Sequence, residues 1–213
     1  MRYLSMKHLR PAAVLLCFCL LGLAGCGSLP ENEYYDVSCP AAEPVPARQR
    51  VQGSVTVRPF GAMEAYSQPE IAYRSDPYRL HYDHYRKWAA SPGTLADFEF
   101  AQYLSQSQLF DTVVHSSFPA RTQYQIFGRV VDFYELNKDD EKFAVLTLEI
   151  TLTDSSEEPV FSLITGATVK APATDDLSGL ARAMSLAMQE VFSDVLEETA
   201  RRLASPQPKT KNE

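Results

Sequence analysis

The stretch Phe143-Ala144-Val145-Leu146-Thr147-Leu148-Glu149-Ile150-Thr151-Leu152-Thr153 decides the fold. Successive side chains of an extended chain point to opposite faces, so Ala144, Leu146, Leu148, Ile150 and Leu152 share one face, and Val145, Thr147, Glu149 and Thr151 share the other. The first set is uniformly apolar, as in a strand that lays one side on a core. Upstream, Tyr124 to Leu136 is apolar on both faces, with Ile126, Gly128 and Val130 alternating with Phe127, Val131 and Phe133. That pattern predicts a central strand covered twice. Asn137-Lys138-Asp139-Asp140-Glu141 joins the two strands as a polar hairpin turn. Ser155 to Pro159 turns again, and Val160 to Lys170 supplies a third strand of an antiparallel meander.

Downstream of the meander, Leu177, Leu180, Met184, Ala187/Met188, Val191, Val195 and Leu203 recur at three-to-four spacing. They predict a long helix over about Asp175–Leu203 whose apolar stripe lies on the sheet. Asp175 and Asp176 at its start and Arg201 and Arg202 at its end suit the helix dipole. Upstream, Ser91 as N-cap and Pro92 at the first position open a shorter helix, with a face of Leu95, Phe98, Ala101/Gln102 and Leu109, extended by Tyr103 and Leu104. Phe110 to Val114 predicts a strand after it. Val55, Val57 and Phe60 predict another, ended by Pro59 and Gly61. The fold class is therefore α/β of the α+β type. A mixed, largely antiparallel sheet with a meander is packed by a long C-terminal helix and a shorter central one.

The first 26 residues speak to location. Arg2, Lys7 and Arg10 precede an uncharged run from Pro11 to Gly25, which closes on Leu23-Ala24-Gly25-Cys26. A positive start, a short apolar run and small residues before the cleavage point make a secretory signal, too short to span a bilayer as a stable anchor. A cysteine directly after the small residues looks like a bacterial lipobox, with cleavage before Cys26 and acylation of that residue. One acyl chain holds a protein to a membrane only marginally, whereas two or more anchor it stably. The organisation read from the chain is a signal over residues 1–25 and a lipidated tether over 26–52. One domain over 53–204 and a polar, disordered tail over 205–213 complete it.

Cleavage leaves 188 of the 213 residues, enough for one well-packed domain. Basic residues fall from 20 to 17 against 27 acidic ones, a net charge of −10, which disfavours nucleic acid as a partner. Cys17 and Cys19 leave with the signal, so Cys39 is the one thiol besides Cys26 and no disulfide within the chain is available. The tether is read from Pro30, Pro40, Pro44 and Pro46 and the lack of any period, with Tyr34 to Val37 as a short edge strand within it.

Catalytic spacings are absent: there is no nucleophile elbow, no phosphate loop and no metal-binding His-Glu-x-x-His. His81 and His84 flank Asp83 in what reads as an aromatic-histidine patch rather than a metal site, and Asp139-Asp140-Glu141 lacks the spacing and glycine of a calcium loop. No metal and no cofactor is called for beyond the covalent acyl anchor. The unusual block is Tyr66 to Trp88, with five of the eleven tyrosines, the single tryptophan, and Arg74, Arg79, Arg86 and Lys87 among them. Ile71 to Arg74 and Tyr78 to Tyr82 read as strands about a Ser75-Asp76-Pro77 turn, and Asp83 to Trp88 as a short helical turn. Alternation sets Arg79 and His81 on one face and Tyr78, Leu80 and Tyr82 on the other. Tyr, Trp and Arg are enriched at binding hot spots. Such rings also serve simply to cover a helix and a sheet edge. Both readings stand.

Val55-Thr56-Val57-Arg58-Pro59-Phe60, then Ile71-Ala72-Tyr73-Arg74, Leu80-His81-Tyr82, and Trp88-Ala89 with Ser91-Pro92 ahead of a helix resemble the ABC-type transport auxiliary lipoprotein family. The Tyr34-Tyr35 pair, Gly128 and Gly166-Ala167 also sit where that family has them, and the resemblance covers nearly the whole mature chain. It implies a lipoprotein of the outer membrane facing the periplasm, anchored at Cys26. Gly27 in the following position is the sorting residue, since an Asp there would retain the protein in the inner membrane. It further implies a non-enzymatic adaptor, working with an inner-membrane ABC transporter subunit or an MCE-domain (mammalian cell entry) protein to move lipids or other hydrophobic molecules between membranes. Tyr73, Arg74, Tyr78, Arg79, Tyr82 and Trp88 are the residues expected to meet that partner. Association with further copies of the chain is open to such an adaptor. The alternative is a lipid-binding shuttle or assembly chaperone of the outer membrane, which requires an apolar cavity between the long helix and the sheet.

Overall fold

The computed structural model describes residues 31–118, 121–174 and 176–204. The fold concerns the compact unit from Asn32 onward. Cys26, Gly27, the signal, Asp175 and the tail over 205–213 lie outside the described residues.

The spine of the sheet is β7 (Tyr124–Lys138), paired antiparallel along its length with β8 (Glu141–Asp154), which pairs in turn with β9 (Pro159–Lys170). On its other edge β7 receives three shorter strands in succession, all parallel to it. β2 (Val51–Val57) lies beside Tyr124 to Ile126, β3 (Gly61–Ala62) beside Arg129 and Val130, and β4 (Glu70–Asp76) beside Glu135 and Leu136. Outside β2 lies β6 (Phe110–His115), parallel to it. Outside β4 come the antiparallel β5 (Arg79–Trp88) and then β1 (Glu33–Tyr35), parallel to β5. The sheet is thus mixed, and its longest ladders are the antiparallel ones of the meander.

Two helices, α1 (Pro92–Gln106) and α2 (Ser178–Ala204), cover one face of this sheet. The predicted inward set of β8 is buried throughout, and Ala183, Met184, Ala187, Met188, Val191 and Phe192 of α2 are fully buried above it. Phe192 meets Phe100 of α1 edge-on at 5.2 Å, which closes the joint between the helices. Asp176, two residues ahead of the helix, accepts the backbone N–H of Ser178 through Oδ1 at 2.9 Å, which sets a carboxylate at the N-terminal end of the helix. On α1, Pro92 opens the helix as expected, but Phe100 is the buried ring and Phe98 is 53% exposed.

Three further expectations are corrected. β7 is covered on both faces only in its C-terminal half, where Tyr66 stacks on Tyr134; in its N-terminal half one face is open, with Phe127 44% exposed and Arg129 pairing with Glu149 beside it. A bulge between Val130 and Asp132 inserts one residue into the ladder, and this carries Phe133 onto the core face with Ile126 and Val130. The double-sided apolar pattern thus reflects this phase shift as well as the partial cover over Tyr134. Gly128 faces that core, and a Cβ there would stand 2.6 Å from the Phe60 ring.

Asp83 to Trp88 is strand, not a helical turn. Three extra residues enter β5 between the pairs Ala72–Tyr82 and Glu70–Lys87. Asp83 supplies the local hydrogen bonds that a helical turn would otherwise provide, accepting the N–H of Tyr85 at 3.0 Å and of Arg86 at 2.9 Å.

The proline-rich stretch expected as a tether is a strap on the domain. Val37 and Ala42 are buried in the core. The N–H groups of Ser38, Cys39 and Ala42 donate to Ser185 Oγ, Glu99 Oε2 and Gln106 Oε1 at 3.0, 2.7 and 3.2 Å, and that of Val45 to the Ser107 carbonyl at 2.8 Å. A segment whose hydrogen bonds end on helix side chains carries no period, which is why composition alone reads it as free chain.

Candidate functional site

The β4–β5 hairpin forms an arm at the end of the sheet where β7 turns into β8, because β4 and β7 run parallel. Its tip is built by Asp76, whose Oδ1 accepts the N–H of Tyr78 at 2.8 Å and whose Oδ2 accepts Arg79 Nε at 3.1 Å. This turn throws the Tyr78 ring outward, 94% exposed. Along the arm Tyr82 and Tyr85 are 41% and 47% exposed, and His81 and His84 are exposed as well. Tyr82 donates its hydroxyl to the Ala65 carbonyl at 3.1 Å, and His81 stacks on Tyr73 at 5.2 Å. At the bulge, Arg86 Nε donates to Asp83 Oδ2 at 2.7 Å. Burial pushes the Asp83 carboxyl up, but the Arg86 guanidinium and the backbone N–H groups of Arg86 and Tyr85 outweigh it and hold the group below its ordinary value.

The six residues singled out from the sequence therefore divide. Tyr78, Arg79 and Tyr82 face solvent together. Tyr73 lies half-buried beneath His81. Arg74 lies on the side of the arm opposite Tyr73, the side that carries Ala72 and its partner Tyr82; its guanidinium sits 4.7 Å from the centre of the Tyr134 ring and Nη2 donates to the Tyr66 hydroxyl at 2.8 Å. Tyr66 stacks on Tyr134 in turn, and its phenol is pushed up to about 12, mainly by burial, with Asp132 adding and Arg74 opposing. Trp88 is 1% exposed and meets Phe133 edge-on at 5.2 Å, so it belongs to the core and cannot touch a partner from this position. Tyr85, absent from the sequence set, joins the exposed face. The assumed helical turn had hidden it.

Elsewhere the buried Asp97 pairs with the imidazole of His115, at the surface end of β6, and its partners are structural. Asp97, 4% exposed, accepts the Phe60 N–H at 2.9 Å through Oδ2 and meets His115 Nε2 at 3.0 Å through Oδ1. Burial raises its carboxyl, while the Phe60 amide and His115 pull it back. The pair ties the end of β2 to α1 and β6. Among the described residues no hydroxyl or thiol hydrogen-bonds to either side chain, and no group of three metal-ligating side chains stands together. No helix among them is long and apolar enough to cross a membrane.

Surface hollows lie at the periphery. One of about 370 Å³ sits between the β7–β8 turn and the start of α2, one of about 770 Å³ between β9 and the C-terminal half of α2, and one of about 560 Å³ beside Tyr34 and Leu186. At the middle of the helix–sheet interface Ala183, Met184, Ala187, Met188, Val191 and Phe192 are fully buried.

A family model described as the ABC-type transport auxiliary lipoprotein component matches residues 35–195. Among solved structures, a Xanthomonas campestris protein, XCC0632, superposes with a TM-score of 0.69 at 19% identity, over 80% of this chain and 96% of its own. An uncharacterized protein superposes at 0.61 with 13% identity, over 79% and 99%. At such identities the likeness is one of fold. A PelC dodecamer from Paraburkholderia phytofirmans matches at 0.40 with 20% identity, over 75% and 93%, too slight a likeness to bear on how this chain assembles. No curated protein matches. The matched segment begins in β1 and runs through the arm, both helices and the meander, and on that match the chain belongs to the ABC-type transport auxiliary lipoprotein family.

Proposed function

We propose that the protein is a lipoprotein of the outer membrane, facing the periplasm. It is acylated on Cys26 and sorted by Gly27, and it acts without catalysis as an auxiliary component of an ABC-transporter or MCE-type system that moves lipids or other hydrophobic molecules between membranes. The observation that carries this reading is the family match across the folded domain, residues 35–195. Tyr78, Arg79 and Tyr82, with Tyr85, form the outward contact surface, braced from within by Tyr73, Arg74 and Trp88.

The test is crosslinking and co-purification of the full-length acylated protein from membranes, with mass spectrometry of what accompanies it. Recovery of an MCE-domain protein or an ABC-transporter subunit is the expected result. Recovery of phospholipid without any protein partner would turn the argument back to a carrier.

A further inference from the structure

We infer that the free edge of β9, from Val160 to Val169, takes an added strand: an extended segment of another protein that alternates apolar side chains with lysine or arginine. The site stands on the geometry of the sheet and is separate from the arm.

The edge is open and undefended. β9 pairs with β8 on one side, and among the described residues nothing pairs with the other. Sheet edges are commonly blunted by a charged side chain, a proline, a bulge or sheer shortness. Between Pro159 and Lys170, the run Val160-Phe161-Ser162-Leu163-Ile164-Thr165-Gly166-Ala167-Thr168-Val169 carries neither charge nor proline. Its register with β8 is unbroken from Phe161 to Lys170. The other edges differ. β6 is short and holds Asp111, while β5 carries Arg79, Asp83 and Arg86 and is covered at its base by β1.

The direction of the backbone gives this edge its donors and acceptors. Ala171, just after β9, donates its N–H to the Lys142 carbonyl at 2.8 Å, continuing the register in which Lys170 faces Phe143. Opposite residues of an antiparallel pair alternate between exchanging both hydrogen bonds and exchanging neither. Val169, Ala167, Thr165 and Leu163 therefore bond to β8. Ser162, Ile164, Gly166 and Thr168 turn their N–H and C=O groups to the free edge, ready for a further strand.

The rim beside the edge selects the occupant. The hollow of about 770 Å³ is bounded by Leu163, Ile164 and Thr165 on β9 and by Asp194, Glu197 and Arg201 on α2. An added strand alternates its side chains as β9 does, one set beside Ile164 on the open face and the other entering the hollow. Ile164 is 65% exposed, so the first set meets an apolar neighbour. In the hollow, Asp194 accepts the Thr165 hydroxyl at 2.6 Å, Glu197 is exposed, and Arg201 is engaged with Glu198. Two carboxylates toward the second set call for lysine or arginine. A second copy of this chain fits less well. Antiparallel pairing of two β9 edges about a twofold axis brings both α2 helices to one face, acidic rim beside acidic rim.

The test places the photo-crosslinker p-benzoylphenylalanine at Ile164 of the full-length protein in the cells that make it, with Ser156 on the β8–β9 turn as the reference position. Adducts are digested and sequenced by tandem mass spectrometry. The expected result is an adduct at 164, absent at 156, to one segment of a different protein with lysine or arginine at alternate positions. Two variants check the edge. Glu197→Lys reverses a charge on the rim, and Thr168→Pro removes an outward N–H without taking a bond from β8. Each is expected to lower the yield about tenfold or more in protein that melts like wild type. An adduct unchanged in both variants belongs to the open face and overturns the proposal. So does an adduct to this chain itself, whether a second copy or residues 205–213, and so does the lack of any adduct at 164. None of these three outcomes touches the anchored adaptor reading.

Discussion

Cys39 shows at single-residue scale how placement governs chemistry. Half-buried against α1, with its backbone N–H on Glu99, its thiol is pushed up to about 12, chiefly by burial and then by the Glu99 carboxylate. Alkylation needs the thiolate, so the folded protein at pH 8 is expected to react with iodoacetamide roughly a thousandfold more slowly than an unperturbed thiol. Denaturant restores the ordinary rate. A mass-spectrometric time course checks this, and rapid native labelling would show that the strap stands off the domain. Gly128 offers a second case, since Gly128→Ala sets a methyl against the Phe60 ring and is expected to cost about 1–3 kcal/mol in urea unfolding. The sequence placed Gly128 on an apolar strand, but the ring that needs its missing Cβ lies far away in the chain.

At the scale of elements, legibility follows hydrogen-bond bookkeeping. The β7–β8–β9 meander and α2 take their bonds from regular ladders, so their side chains repeat with a period, and the sequence shows it. The strap, the β7 bulge and the β5 bulge satisfy backbone groups through side chains or skip a ladder rung, and each was misread. Hydrogen exchange separates strap from tether: the amides of Ser38, Cys39, Ala42 and Val45 are expected to be protected well above a free chain, although prolines surround them. The arm makes a pH prediction. Asp83 has its carboxyl held down in the folded state, so the stability it adds is present above the ordinary carboxylate value and is lost as pH falls through the lowered one. Asp83→Asn is expected to cost about 1–2 kcal/mol at neutral pH and nothing at the acid end of that range, read from unfolding midpoints at several pH values. A loss that persists unchanged in acid would mean that the carboxylate's charge is not what holds the bulge.

At the scale of the whole molecule, the ordered series of weak motifs from Val55 to Pro92 identified the family, because a shared fold constrains many positions lightly and in sequence. The contact surface was less legible. Composition grouped Tyr73, Arg74, Tyr78, Arg79, Tyr82 and Trp88 as one patch, whereas the fold sets Tyr73 and Arg74 on opposite sides of the arm, packs Arg74 against Tyr134, and sends Trp88 into the core. This division decides how function is probed. Trp88→Ala removes a fully buried indole and is expected to cost about 3–5 kcal/mol, so any lost association would report unfolding. Tyr78→Ala with Tyr82→Ala touches exposed rings and is expected to change stability by no more than about 1 kcal/mol, the single Tyr82–Ala65 hydrogen bond being the main loss. In acylated protein that melts like wild type, this double variant is expected to weaken the contacts made by the arm, read as reduced recovery of the transport partner on co-purification from membranes. Wild-type recovery from the double variant would show that these rings carry no part of the association. The arm would then be a sheet extension without a contact role, and the search for the surface that meets the transporter would move to the open face around Phe127 and Ile164.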